Sequence, residues 1–327
     1  MASFRQHGNG WQGRIRRRGY PDITKTFETK ADAEKWARML ESEIDKGQFI
    51  NGSEAQRTTL GDLIARYLTE VTPSMKGALE DTIRLKAIMR KPIAQWSMAN
   101  LSAARIAAFR DERLKEVSAG TVIRELAYLS AIINHARREW GINVPNPVQM
   151  VRKPQSPQAR ARVLTEEEVE RLLQALEPTG RRSHWTKPVV QLALATAMRR
   201  GELLSLRWEH VDLQNRTAFL PDTKNGDSRT VPLSSAAIQV LAALPRHISG
   251  TVFPVKFFTL DAAFKRGIRR AGLHEVRFHD LRRTAITRMA EKLPNVIELA
   301  AVSGHKSLMV LKRYYRPTAT ELAQKLG

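Results

Sequence analysis

The chain has 327 residues, 42% of them hydrophobic, no cysteine, and a formal net charge of +21. The length predicts two or three domains, and the missing cysteines exclude disulfides, cysteine-based zinc fingers and cysteine nucleophiles while permitting a reducing cytosol. Self-repulsion opposes so large a charge, so it points to a polyanionic partner: nucleic acid first, an anionic membrane surface second.

The membrane reading lacks support. No run approaches the ~20 apolar residues of a span, and no Lys-rich amphipathic helix carries a bulky apolar face. The opening "MASFRQHGNG" has no apolar segment of the secretory type. No membrane partner is expected.

Residues 1–55 predict about three strands and one helix. Asn9-Gly10, Gly19 and Pro21-Asp22 punctuate short β-like runs. Thr29 then reads as an N-cap, and Ala33, Trp36, Ala37, Leu40 and Ile44 form a helical stripe. Along "RIRRR", alternation on a strand puts Arg14, Arg16 and Arg18 on one face. That face suits DNA. The blander reading is a solvated edge strand that its charge protects from aggregation.

Residues 58–150 predict a basic helical bundle. "SAGTVIRELAYLSAIINHARREWG" carries Ile123, Leu126, Leu129, Ile132 and Ile133 on one side. The charge of the bundle suggests that it faces phosphates. "NPVQMVRKPQSPQARAR", residues 146–162, is a linker by its prolines, and its Arg152 and Lys153 are candidate DNA contacts. A last domain, 163–327, begins at "LTEEEVERLLQAL", where Thr165 and Glu168 match a capping box. The expected fold class is mainly α with small β-sheets (α+β).

Four stretches of that domain carry potential chemistry. In "ATAMRRGELLSLRW", Arg199 and Glu202 are three apart and neighbours on a helical turn, ordinarily a surface ion pair. In "AFLPDTKNGDSRTVPLS", Asn225-Gly226 signals a tight hairpin with Lys224 at its mouth. In "RFHDLRRTAITRMA", His279 and Arg282 share a helical face. In "GHKSLMVLKRYYRP", His305 follows Gly304 and Tyr314 lies nine residues later. Each stretch alone has a plain structural explanation.

Together and in this order they resemble the tyrosine recombinase (phage-type integrase) family. Its "TG[LM]R.GE" segment, hairpin lysine, "H.LR" helix, and "GH" with a tyrosine nine residues on are met here by "TAMRRGE", "TKNG", "HDLR" and "GHKSLMVLKRY". Ala197 stands where glycine is usual, and Arg199 keeps its place. The resemblance covers 163–327 as a mixed α/β catalytic domain. The middle, 58–150, looks like the core-site binding bundle. Residues 1–55 look, less closely, like an arm-type DNA-binding domain, a three-stranded sheet plus helix.

The resemblance implies a site-specific recombinase that cleaves and rejoins double-stranded DNA through a 3′-phosphotyrosyl intermediate, with no metal, cofactor or ATP. It makes Tyr314 the nucleophile and leaves Tyr315 to packing or DNA contact. Arg199 and Arg282 would fork onto phosphate oxygens. His305 would bond a non-bridging oxygen, His279 would help take the phenol proton, and Lys224 would protonate the leaving 5′-oxygen. Glu202 would orient a neighbouring arginine or histidine. Integration and excision of a mobile element or prophage is the expected role, with inversion or resolution as the alternative. A type IB topoisomerase and an inactive DNA-binding regulator are remoter readings. The implied setting is a homotetramer on core-type and arm-type DNA sites, joined by an accessory DNA-bending or directionality protein, in the bacterial cytoplasm at the nucleoid. Finally, "PTATELAQKLG" predicts a short C-terminal helix started by Pro317 and capped by Thr318 or Thr320, with Leu322, Ala323 and Leu326 on its apolar side.

Overall fold

The structure is a computed structural model that describes residues 2–327, except 19, 21, 46–51, 159, 181–182, 222–227, 294 and 315–318. The chain separates into two compact units, Met1–Gln158 and Ala159–Gly327. It is mainly helical with two small antiparallel sheets.

In the first unit, β1 (Ala2–His7), β2 (Gly10–Ile15) and β3 (Ile23–Phe27) form a sheet in the order β1-β2-β3. Helix α1 (Lys30–Asp45) packs on one face of it. The Thr29 hydroxyl accepts the Asp32 N–H at 3.2 Å, which caps the first turn. Ile15, Ala37 and Ile44 are buried, with Trp36 and Leu40 packed around them. At Gly13 a Cβ would lie 3.1 Å from the Trp36 ring, so the missing side chain lets the indole lie on the sheet.

The expected arginine face does not form. β2 ends at Ile15, and the chain turns as the Tyr20 N–H donates to the Arg17 carbonyl at 3.0 Å. Only Arg14 of the three is on the strand, and Arg18 lies within the turn. Arg14 and Arg16 both bond the Asp22 carboxylate and hold its pKa below the ordinary value.

The bundle follows as α2 (Gly52–Arg57), α3 (Leu60–Glu70), α4 (Ala78–Met89), α5 (Ala103–Glu116) and α6 (Ala119–Glu139). Thr59 and Asp62 form a capping box at α3. The buried stripe of α6 runs through Val122, Leu126, Leu129, Ile133 and Ala136, all fully buried. Steps of four and three from Val122 track the 3.6-residue repeat and leave Ile123 at the edge, only partly buried. Each large apolar side chain buried here contributes roughly 1.5–3 kcal/mol of transfer free energy. Arg113 of α5 forks onto Glu125 of α6, a largely buried ion pair with Nε–Oε2 at 2.9 Å. Arg152 and Lys153, past the bundle, are exposed.

The second unit contains α7 (Glu166–Ala175), α8 (Thr186–Thr196) and α9 (Arg200–Ser205), then β4 (Val211–Asp212), β5 (Thr217–Leu220) and β6 (Arg229–Pro232). It continues through α10 (Ser235–Ala242), α11 (Phe257–Arg270), α12 (Phe278–Lys292), α13 (Val296–Ser303), α14 (Leu308–Leu311) and α15 (Ala319–Leu326). Thr165 and Glu168 make the expected capping box of α7. Helix α8 is the hub. Its Val189, Val190, Leu192 and Ala193 are fully buried, and it packs against α10 and α12. The last pair of the β5–β6 ladder is Leu220 with Arg229, so the Asn225-Gly226 turn and Lys224 fall outside the described residues. In α15, Thr320 lies inside the helix rather than at its cap, and Ala323 and Leu326 are exposed. Among the described residues no helix is long and apolar enough to cross a membrane.

Candidate active site

Arg199 owes its position to a break between two helices. Helix α8 ends at Ala197, which is left-handed at φ +54° and fully buried. That conformation costs an L-residue roughly 1 kcal/mol, which explains why glycine is common there in the resembled family. Arg199 then caps α9 in extended geometry. The Glu202 carboxylate accepts its backbone N–H and its Nη1–H, each at 2.8 Å. The "RRGE" spacing thus starts a helix and orients a guanidinium at once.

Arg282 lies on the first turns of α12. That turn is anchored by Asp280, which accepts the Arg277 N–H at 2.8 Å and, from the linker, both oxygens' bonds to Arg160 Nε at 3.1 Å. Arg282 is 3% exposed and donates to two carbonyls, Ala197 through Nη1 and Ser303 through Nη2. These are the C-terminal ends of α8 and α13, where the helix dipole is negative and favours a cation. Burial, then the Arg199 charge, still pushes the Arg282 pKa down to about 10. It remains cationic at neutral pH.

A third guanidinium completes the cluster. Arg229 of β6 donates to Glu202 Oε2 and to the Val302 carbonyl, each at 2.8 Å. Its side chain lies against Gly304, where a Cβ would come 2.7 Å from Nε. Gly304 is also left-handed, φ +68°, and ends α13. Glycine before His305 is therefore required by backbone conformation and by the packing of Arg229. Burial raises the Glu202 carboxyl, but the Arg199 N–H and the Arg229 charge outweigh it, and its pKa ends below the ordinary value.

His305 extends from that glycine, with Nδ1 2.8 Å from the Ser303 hydroxyl. Burial, then the charges of Arg282, Arg199 and Arg229, push its pKa down to about 4. His279, accessible on α12, is also lowered, by partial burial of its ring and then by Arg282 and Arg283. Both rings are neutral at pH 7. Tyr314 follows α14 in a turn, its N–H donating to the Leu311 carbonyl at 2.8 Å. It packs, half-buried, against Ala197, Ala285, Leu299 and Leu311. Its phenol is near enough for its field to bear on Arg282. A cleft of about 600 Å³ opens beside these groups, lined by Arg199, Arg200, Phe257, Lys265, His279 and Arg282.

Arg199, Glu202, His279, Arg282, His305 and Tyr314 therefore share one region of the second unit. Lys224 and Tyr315 lie outside the described residues, and Arg14, Arg16, Arg18, Arg152 and Lys153 belong to the first unit. Sequence reading missed Arg229 and Ser303. Arg229 follows the hairpin as one more basic residue on a strand, and Ser303 sits where a helix end tolerates many residues. Neither position has a spacing signal.

Comparison with known proteins agrees with this geometry. Residues 162–321 match the model of the phage integrase family, and residues 56–154 match the phage integrase N-terminal domain. A Haemophilus influenzae protein named as an integrase/recombinase is 38% identical across 98% of this chain and 89% of its own length. The shufflon-specific DNA recombinase of Escherichia coli is 40% identical across 83% of this chain and 72% of its own. Among solved structures, a lambda integrase dimer bound to a core site covers 96% of this chain and 94% of its own at TM-score 0.65 and 22% identity, a likeness of fold. The fold is that of the tyrosine recombinases. The chain belongs to the phage integrase family, and it is an enzyme of DNA strand exchange.

The depressed histidines make stability depend on pH. An unfolded histidine binds its proton near pH 6.5, whereas folded His305 binds it only near 4. Between those values the unfolded chain holds more protons, so the stability present above about pH 6.5 is lost as pH falls towards 4. Thermal unfolding followed from pH 7 to 4.5 should show a falling Tm, with a smaller fall in His305→Gln. Parallel curves for the two proteins would contradict the His305 assignment.

Proposed function

We propose that Tyr314 is the nucleophile of a site-specific recombination reaction on double-stranded DNA. The observation that carries this reading is the convergence of Arg199, Arg229 and Arg282, with Glu202 as their shared carboxylate, beside His305 and the half-buried Tyr314. Three cations against one anion leave a site that favours a phosphate. Guanidinium donors of this kind stabilise developing phosphate charge by ~3 kcal/mol or more each.

The phenol oxygen attacks the phosphorus, and the bond to the 5′-oxygen breaks. The product is a 3′-phosphotyrosyl ester and a free 5′-hydroxyl. The phenol must lose its proton, and His279, neutral at pH 7, accepts it. Lys224 supplies the proton to the leaving oxygen. His305 donates a hydrogen bond to a non-bridging oxygen. A 5′-hydroxyl of a partner strand reverses the step, so the ester conserves the energy of the broken bond.

Residues 58–150 bind the core-type site, Arg152 and Lys153 of the linker contact DNA, 163–327 catalyse, and 1–55 bind a second, arm-type sequence. The enzyme acts as a homotetramer on cytoplasmic, nucleoid DNA, aided by an accessory DNA-bending or directionality protein, and integrates or excises a mobile element. Inversion or resolution is the second reading, favoured by 40% identity to the shufflon-specific DNA recombinase.

Tyr314→Phe should abolish covalent adducts on a nicked suicide substrate and leave DNA binding nearly intact, while Tyr315→Phe still forms them. The reverse pattern, scored by denaturing gel, would reassign the nucleophile. Lys224→Ala should cleave poorly yet recover on a 5′-bridging phosphorothiolate, whose leaving group needs no acid. An unrescued variant removes Lys224 from that role. Without residues 1–55 the protein should still cleave core sites and lose footprints on the second sequence; unchanged footprints count against arm binding. The exposed Ala323 and Leu326 of α15 find no cover in their own unit, and a helix of this length needs a docking surface. We assign that surface to the neighbouring subunit, head to tail. Deleting residues 318–327 should preserve single-site binding and abolish the higher-order complex in native gels. A deletion protein that still assembles and recombines would refute the contact.

A further inference from the structure

Ser303 is fully buried, and its hydroxyl stands between two acceptor-capable atoms. One is the Leu299 carbonyl oxygen at 2.6 Å, and the other is His305 Nδ1 at 2.8 Å. A carbonyl oxygen can only accept. An oxygen–oxygen separation of 2.6 Å needs a hydrogen between the atoms, and Ser303 has a single hydroxyl proton. That proton therefore goes to Leu299. The Ser303 oxygen is left as acceptor, and His305 Nδ1 must be the donor. A neutral imidazole has one N–H, so Nε2 then carries a lone pair.

This has a consequence for the reading of His305 given above, on which the next step rests. A neutral ring held in this tautomer offers the DNA phosphate a lone pair where a donor is required. We propose that Ser303 is a positioning residue that locks His305 in the Nδ1–H tautomer, so that His305 engages the scissile phosphate only as an imidazolium and takes up a proton when DNA binds.

The surroundings make this a switch of charge rather than a static contact. The groups that bear on His305 are Arg282 and His279 from α12, Arg199 ahead of α9, and Arg229 from β6. Glu202 of α9 is the carboxylate among them and is already shared by Arg199 and Arg229. Without DNA the field is positive, and burial with that field keeps the ring neutral at pH 7. A phosphate placed among the guanidiniums reverses the local field and favours the protonated ring. The proton enters at Nε2 and comes from solvent, and Nε2–H then donates to the non-bridging oxygen. The Ser303 bond to Nδ1–H persists in both states, so the ring need not turn over during the change.

The test reads tautomer and protons directly. In 15N-histidine NMR spectra of the full-length free protein near pH 7, His305, identified by its loss in His305→Asn, should show the neutral Nδ1–H pattern. Calorimetric titration with core-site DNA, repeated in buffers of different ionisation enthalpy, should give an uptake of about one proton per bound subunit. Ser303→Ala frees the ring to adopt Nε2–H and donate while neutral. Its uptake should fall towards zero, and the acid-side rise in cleavage rate should flatten. A neutral Nε2–H tautomer in the wild-type protein overturns the proposal without reference to any variant. Proton uptake that is absent, or equal in wild type and Ser303→Ala, overturns it as well. Failure of Tyr314 to form an adduct would instead strike the catalytic reading and leave the tautomer measurement standing.

Discussion

A single buried carboxylate, Glu202, holds two guanidiniums that would otherwise repel each other: Arg199 from the start of α9 and Arg229 from β6. Arg282 joins them from α12 and satisfies its donors on the Ala197 and Ser303 carbonyls at the ends of two helices. The cluster is under-compensated by design of its parts. Partial negative charge on two helix ends and one full carboxylate face three cations. An unpaired buried charge is among the costlier features a fold can hold, and an arriving phosphate would supply the missing counter-charge. The excess of positive charge is thus a property of the free state.

The same cluster explains where the backbone is strained or constrained. Ala197 and Gly304 are both left-handed residues closing the helices whose ends bind Arg282, and Arg199 lies two residues beyond one of them. Left-handed closure turns the last carbonyls of a helix inward while the chain leaves at a sharp angle. In this unit that geometry delivers a side chain of the cluster just past each turn: Arg199 after Ala197, His305 after Gly304. Rigid helix ends hold such groups more accurately than free loops would.

Burial, and then the positive field of neighbouring guanidiniums, sets the protonation of the two histidines. Both rings are neutral at pH 7, which leaves each of them able to take up a proton when its surroundings change. The linker contributes too. Arg160 reaches Asp280, the residue that caps α12, and so ties the chain entering this unit to the helix bearing His279 and Arg282.

Much of this was legible in the letters alone, wherever a signal is local. Thr165 with Glu168, Thr29 before α1, and the stripe of α6 follow from capping and the 3.6-residue period, and motif spacing singled out Arg199, His279, Arg282, His305 and Tyr314. Local signals also misled where a short run had two readings: "RIRRR" alternates like a strand but turns after Ile15, because the Tyr20–Arg17 hydrogen bond and Asp22 offered the arginines another arrangement. Only the tertiary structure decided that Arg229 shares Glu202, that Arg282 spans two helix ends, and that Ser303 holds His305. The bonds of Arg282 to Ala197 and of Arg229 to Val302 cross 85 and 73 residues of sequence. Contacts over such separations arise from the packing of α8, α12 and α13 into one core, and no periodicity or spacing along the chain records them.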